Sequence, residues 1–224
     1  MTKQQTSPGL CLAAQALTGP EWLARVEAAL EATRAATLIL DAEEDGAAID
    51  ADAARALVQL AQRKNVAALI VDDWRTARAI GADGVHLTPR DDLDEAYRAA
   101  RAGLEEGSIV GADGGTSRHD AMMLGEAGAD YVAFGPTAGD LGQDEEAETQ
   151  FELVTWWSEL FVVPVVAVGI ETAEDAARIA APKPDFISVR LPRADADARP
   201  IAEWARDILD AIGAPSTATS GARA

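Results

Sequence analysis

The chain has 224 residues, in which 38 acidic side chains face 19 basic ones for a net charge of -19, a balance that argues against nucleic acid and anionic membranes as partners. No apolar run approaches the ~20 residues of a membrane helix, and the polar start through Pro8 lacks the basic-then-apolar layout of a signal peptide, so a soluble, cytoplasmic protein is expected. The single cysteine, Cys11, excludes a disulfide framework and a Cys-based metal site, and reads as a small buried hydrophobe.

Residues 10–14 read as a first strand, and Gly19-Pro20 opens a helix through Thr33 with Trp22, Leu23, Val26 and Leu30 on one face. Residues 37–40 form the second strand. An acidic loop over 41–50 precedes a helix over 51–63, and 67–71 is the third strand, closed by Asp72-Asp73. A short third helix spans 74–80, the fourth strand 84–87 and the fourth helix 93–102. The fifth strand is placed at 108–111, the fifth helix at 118–127 and the sixth strand at 131–134. The sixth helix is read over 151–160, the seventh strand over 162–168, the seventh helix over 171–180, the eighth strand over 186–190 and the eighth helix over 200–212.

The stretch GADGVHL at 81–87 returns as GADYVAFG at 128–135 and, with prolines, as PKPDFISV at 182–189. Each version closes a helix, turns on an aspartate and enters an apolar strand. Eight such strands alternating with helices predict an α/β fold, a single (β/α)8 TIM barrel over residues 1–213. An open doubly wound sheet is the alternative. It would carry a Gly-rich turn after the first strand, and 13–18 contains no glycine. Residues 214–224 are small, polar and aperiodic, and are expected to be a disordered tail.

In such barrels the chemistry sits on the loops after the C-terminal ends of strands. Those loops carry Asp72 and Asp73, then Thr88, Arg90, Asp91 and Asp92, then 113–117, 135–142, Gly169 and Glu171, and finally Arg190 and Arg193. Two adjacent strands that each deliver a carboxylate could hold one Mg2+, with Asp73 and Asp91 as the chosen pair. Helix N-capping explains the same aspartates equally well. His86 reads as an interior histidine satisfied by hydrogen bonds, His119 as exposed near the rim, and the tryptophans as packing anchors.

The run LIVDDWRTARAIGADGVHLTPRDDL resembles the corresponding part of the thiamine phosphate synthase and thiazole tautomerase family. IVGADGG with GEAGADYVAFGP is similar to that family's fifth and sixth strands, and PVVAVGI with FISV to its seventh and eighth. The resemblance implies a transferase of thiamine biosynthesis that joins hydroxymethylpyrimidine diphosphate to thiazole phosphate and releases diphosphate. It implies Mg2+ as cofactor and small phosphorylated molecules as partners. Carried over by position, Asp73 and Asp91 match the metal-binding aspartates, Asp72 stands beside them among the substrate-binding positions, and Gly169 matches a glycine of a phosphate-binding turn.

The resemblance is incomplete at the anion contacts. The loop after strand two reads ILDAEED with no basic residue, Pro89 stands where the family has glutamine, TAGDLGQDEEAE replaces a Thr- and Lys-bearing loop, and Leu191 replaces a serine. Arg90 and Arg190 are therefore the expected phosphate-binding residues, with Arg193 nearby. A member of the same barrel family that is noncatalytic, or that takes a different ligand, is the alternative reading. A homo-oligomer is left open.

Overall fold

A computed structural model of the chain describes residues 7–44, 46–136 and 143–213. Eight strands run parallel and close into a barrel in chain order: β1 (Gly9–Gln15), β2 (Thr37–Asp41), β3 (Ala67–Val71), β4 (Gly84–Leu87), β5 (Ile109–Asp113), β6 (Tyr131–Phe134), β7 (Val165–Ile170) and β8 (Phe186–Arg190). Closure comes from β1, which pairs with both β2 and β8. The helices between them are α1 (Pro20–Thr33), α2 (Ala51–Arg63), α3 (Trp74–Ile80), α4 (Leu93–Gly103), α5 (Arg118–Ala127), α6 (Gln143–Leu160), α7 (Ala173–Ala180) and α8 (Ile201–Ala211).

Local signals set the helix ends. Asp50, Asp73, Ser117 and Thr172 each accept backbone N–H groups at a helix start. Gly81 and Gly128 end α3 and α5 in the left-handed conformation, at φ 74° and 87°. The aspartate repeated in the GAD and KPD motifs has a structural use. Asp83 accepts from Ala68 N at 2.8 Å, Asp130 from Val110 N at 2.8 Å and Asp185 from Val165 N at 3.0 Å. Each carboxylate before an even-numbered strand thus takes the first free amide of the odd-numbered strand preceding it, at the N-terminal end of the barrel.

One face of every strand packs on the helices, and the other faces the barrel axis. Register pairs link Ala13 to Ile39 and Arg190, Ile39 to Leu69, Leu69 to Gly84, and Gly84 to Ile109, and alternate residues of these strands fill the interior. Ile39, Leu69, Tyr131, Ala133 and Val166 form an interior cluster separate from the larger shell under the helices. Trp22, Trp157 and Trp204 are buried in that shell, and Trp156 is partly exposed. Cys11 is buried, and its thiol is pushed up to about 12 by burial, which removes thiolate chemistry at neutral pH.

Several boundaries differ from the pattern reading. β5 runs on to Asp113, because its backbone pairs in register with Ala133 of β6 and Gly114 N donates to Ala133 O at 3.0 Å. β7 begins at Val165, since Val162 is 95% exposed and Pro164 cannot donate to a ladder. Helix α6 starts at Gln143, two turns earlier than read. Its first turn holds Asp144, Glu145 and Glu146, where carboxylates favour the positive end of the helix dipole. The remainder of the acidic loop, through residue 142, and the tail expected over 214–224 lie outside the described residues.

Candidate functional site

The C-terminal ends of the strands form one rim, and the sequence-chosen side chains sit along it. Asp72 follows β3 with a left-handed backbone, φ 57°, which turns its carboxylate toward β4. There Oδ1 accepts Thr88 N at 2.9 Å and Oδ2 accepts the Thr88 hydroxyl at 2.5 Å. Arg90 Nη1 lies 3.4 Å from the same Oδ1, while Arg90 Nε donates to Asp92 at 2.9 Å. The structure therefore brings Asp72 and Arg90 together.

Asp73 is the N-cap of α3. Its Oδ1 accepts Arg75 N at 3.1 Å and Thr76 N at 2.9 Å, and Oδ2 accepts the Thr76 hydroxyl at 2.7 Å. Burial raises this carboxyl, but those donors outweigh it and hold the group below its usual range, so it is ionised at neutral pH. Asp91 is exposed and makes no hydrogen bond or ion pair within the described residues. Capping thus accounts for Asp73 and leaves Asp91 without a structural bond. Asp92 occupies the N-cap position of α4, with no cap bond from its side chain.

Arg190 closes β8. Its Nη2 lies 3.3 Å from Asp41 Oδ2 at the end of β2, and its Nε lies 4.0 Å from Glu171 after β7. Arg193 reaches the same acidic loop, 3.4 Å from Glu43, and Gln15 Nε2 donates to Glu43 O at 2.7 Å. A cleft of about 490 Å³ opens here, with Gln15, Glu171, Arg190, Arg193 and Trp204 in its wall. Gly169 sits at an irregularity of the β7–β8 pairing with φ 75°. A Cβ there would come 2.5 Å from Pro136 Cδ, so glycine lets the turns after β6 and β7 meet.

The family model described as thiamine monophosphate synthase matches residues 10–191, from β1 to just past the end of β8. The chain belongs to the thiamine monophosphate synthase family. A thiamine-phosphate synthase of Hyphomonas neptunium is 36% identical over 168 residues, covering 73% of this chain and 75% of that protein. The one of Erythrobacter litoralis is 35% identical over 171 residues, covering 74% and 78%. Thiamine phosphate pyrophosphorylase from Pyrococcus furiosus superposes with a TM-score of 0.68 at 22% identity, covering 92% of this chain and 95% of that one, a likeness in fold.

This member of the thiamine monophosphate synthase family carries two buried polar groups on the axis below its rim. His86 Nδ1 and Tyr131 OH are 2.9 Å apart, and burial pushes the imidazole down to about 4 while Asp72 and Asp41 pull the other way, so His86 is neutral near pH 7. Asp113 is 4% exposed and accepts Gly115 N at 2.8 Å, with Gly135 N as a second donor; burial pushes its carboxyl up to about 6 despite both bonds. The pattern reading put Asp113 in a loop and gave Asp41 no role. Strand alternation was the signal, since Asp113 falls on the axial parity of Ile109 and Gly111.

Proposed function

We propose that this chain is a thiamine-phosphate synthase, a transferase that substitutes the nitrogen of thiazole phosphate for diphosphate on the methyl carbon of hydroxymethylpyrimidine diphosphate. A C–N bond forms, the C–O bond to diphosphate breaks, and the electron pair leaves with diphosphate. The observation that carries this reading is the family match over 10–191, which takes in Asp72-Asp73 directly after β3 and Arg90-Asp91 in the loop after the adjacent parallel strand β4.

Mg2+ is commonly held by one or two carboxylates, with substrate phosphates and water completing the shell. Asp73 and Asp91 fit that demand. The first is ionised with three of its roughly four acceptor directions used, and the second has all of them open. No group of three metal-ligating side chains occurs among the described residues, so phosphate oxygens would supply most of the shell. The ion's chemistry is to neutralise charge on the departing diphosphate.

The chain's own residues do the remaining work. Arg190 and Arg90 supply guanidinium donors to phosphate, in exchange for the carboxylates they now face. Both pairs are more than a third exposed on the arginine side, so the exchange costs little. Asp72 and Thr88 fix the β3 and β4 turns to each other, which sets where Arg90 points. Gly169, at the irregularity near the end of β7, lets Pro136 of the β6 turn close in on that strand, which brings the two rim segments together for a phosphate.

Calorimetric titration with the pyrimidine diphosphate, with and without Mg2+, tests the reading. Binding that strengthens with Mg2+ and weakens in Arg190→Ala is expected; equal heats with and without the metal would overturn the assignment.

A further inference from the structure

Strands β6 and β7 reach the rim side by side, and the ladder between them lacks a donor there. Val132 N donates to Pro164 O at 2.9 Å, and the register pairs Phe134 with Ala167. Along one edge of a parallel strand, donors recur at every second residue. The next donor after Phe134 would therefore be residue 136 N, set against Val168 O. That residue is Pro136, which has no N–H. Its ring instead closes on Gly169, where a Cβ would come 2.5 Å from Pro136 Cδ.

A side chain from the helix layer supplies what the proline cannot. Gln150 of α6 is 3% exposed, and its Nε2 donates to Val168 O at 2.8 Å and to Phe134 O at 2.8 Å. Leu153, Val154 and Trp157, the next residues on that face of the helix, are buried apolar groups, so an amide at 150 must have its protons bonded.

Phe134 C=O and Gly135 N–H belong to one peptide unit, and Gly135 N donates to Asp113 of β5. Gln150 and Asp113 thus hold that unit from opposite edges of β6. The Val168 carbonyl is fixed by the same amide. Because its peptide is planar and trans, Gly169 N–H is sent to the other edge of β7, the β8 side. Val168 is partly exposed, so water could serve its carbonyl; what Gln150 adds is a fixed position.

The carboxylates proposed for Mg2+ follow β3 and β4, and β7 lies four strands from β3 in the closed ring of eight. The clamp therefore stands across the mouth from the metal and its diphosphate. Arg190 leans away from it, from β8 toward Asp41 of β2. Of the two substrates, the one with a single phosphate is left for this side. Resting on the transferase reading above, we propose that Gln150 is a positioning residue for thiazole phosphate, holding the ends of β6 and β7 at the spacing in which their turns receive its phosphate.

The test uses the full chain with Mg2+ and both substrates. Gln150→Met keeps the length of the side chain and removes its donors. It should raise KM for thiazole phosphate about tenfold and leave KM for hydroxymethylpyrimidine diphosphate within about twofold. A merely structural role would lower Tm without separating the two constants. Folded Gln150→Met with both KM values unchanged, or both raised equally, overturns the inference while the parent's turnover upholds the transferase reading. A second measurement needs neither turnover nor a variant: thiazole phosphate alone, added to the parent, should shift the NMR signals of the Gln150 side-chain amide saturably. That shift in a parent that forms no product supports the inference and counts against the transferase reading alone. Gln150 signals that stay unmoved up to millimolar thiazole phosphate overturn the inference.

Discussion

Arg190 Nη2 lies 3.3 Å from Asp41 Oδ2, so the guanidinium at the end of β8 faces a carboxylate at the end of β2 across their shared neighbour β1. The basic group proposed to hold phosphate thus rests against an acid of its own chain. Removing that acid should help an anion. Asp41→Asn is expected to tighten binding of inorganic diphosphate about threefold, the worth of a half-exposed ion pair of roughly 0.7 kcal/mol. Calorimetry of the two proteins checks this, and weaker binding in the variant would show that Asp41 orients Arg190 rather than occupying it.

Asp73 has two uses that a pair of substitutions separates. Asp73→Ala removes both cap and carboxylate and should cost about 1 kcal/mol of stability. Asp73→Ser keeps a capping oxygen and removes the charge, so it should melt close to the parent while losing the Mg2+ dependence of diphosphate binding. Unfolding curves and a Mg2+ titration of each variant decide. Unchanged Mg2+ dependence in the serine variant would leave Asp73 a cap alone.

The axial pair His86 and Asp113 gives stability a compensated pH dependence. The His86 imidazole is depressed to about 4, so its contribution is complete above the ordinary value of 6.5 and is lost as pH falls through 4. Asp113 is raised to about 6, so its contribution is complete below 3.8 and is lost as pH rises through 6. Each is worth about 3 kcal/mol, with opposite sign across pH 4–6. Relative to the parent, His86→Gln should therefore gain stability on acidification from pH 6.5 to 4, and Asp113→Asn should lose it. Urea unfolding at pH 4, 5, 6 and 7 measures the slopes, and three identical slopes would refute the assignment.

Gly84 is the one residue of the GADGVHL stretch for which no side chain fits. A Cβ there would run into the carbonyl of Ile109 on β5, which is backbone and cannot swing away. Gly84→Ala should cost about 3 kcal/mol, read as a lowered midpoint in denaturant. A change below about 0.5 kcal/mol, the level of an ordinary surface substitution, would contradict the packing described.

Much of this barrel was legible because its signals are local. Apolar runs such as 67–71, closed by Asp72 and the capping Asp73, and 131–134, set between Gly128-Ala129-Asp130 and Gly135, have predicted bounds that are those of β3 and β6. The end of β5 depends on a partner in the next strand: Asp113 continues β5 because its backbone pairs with Ala133 of β6, a partner that the alternation of Ile109, Gly111 and Asp113 leaves unnamed. The same holds at the rim. Asp72 and Arg90 could be chosen from their positions after strands, whereas the neutralisation of Arg190 by Asp41 joins residues 149 apart in the chain. Sequence spacing locates the loops that carry chemistry, but not which charges within them are already paired.

The central claim is that this family member still performs the transfer despite its acid-lined mouth. Its most direct test is to incubate the purified full chain with Mg2+, hydroxymethylpyrimidine diphosphate and thiazole phosphate, and to quantify thiamine phosphate and diphosphate. The account predicts equimolar formation of both products, dependent on Mg2+ and lost in Asp73→Ser. Folded protein that forms neither product across a screen of pH and divalent metals would contradict it.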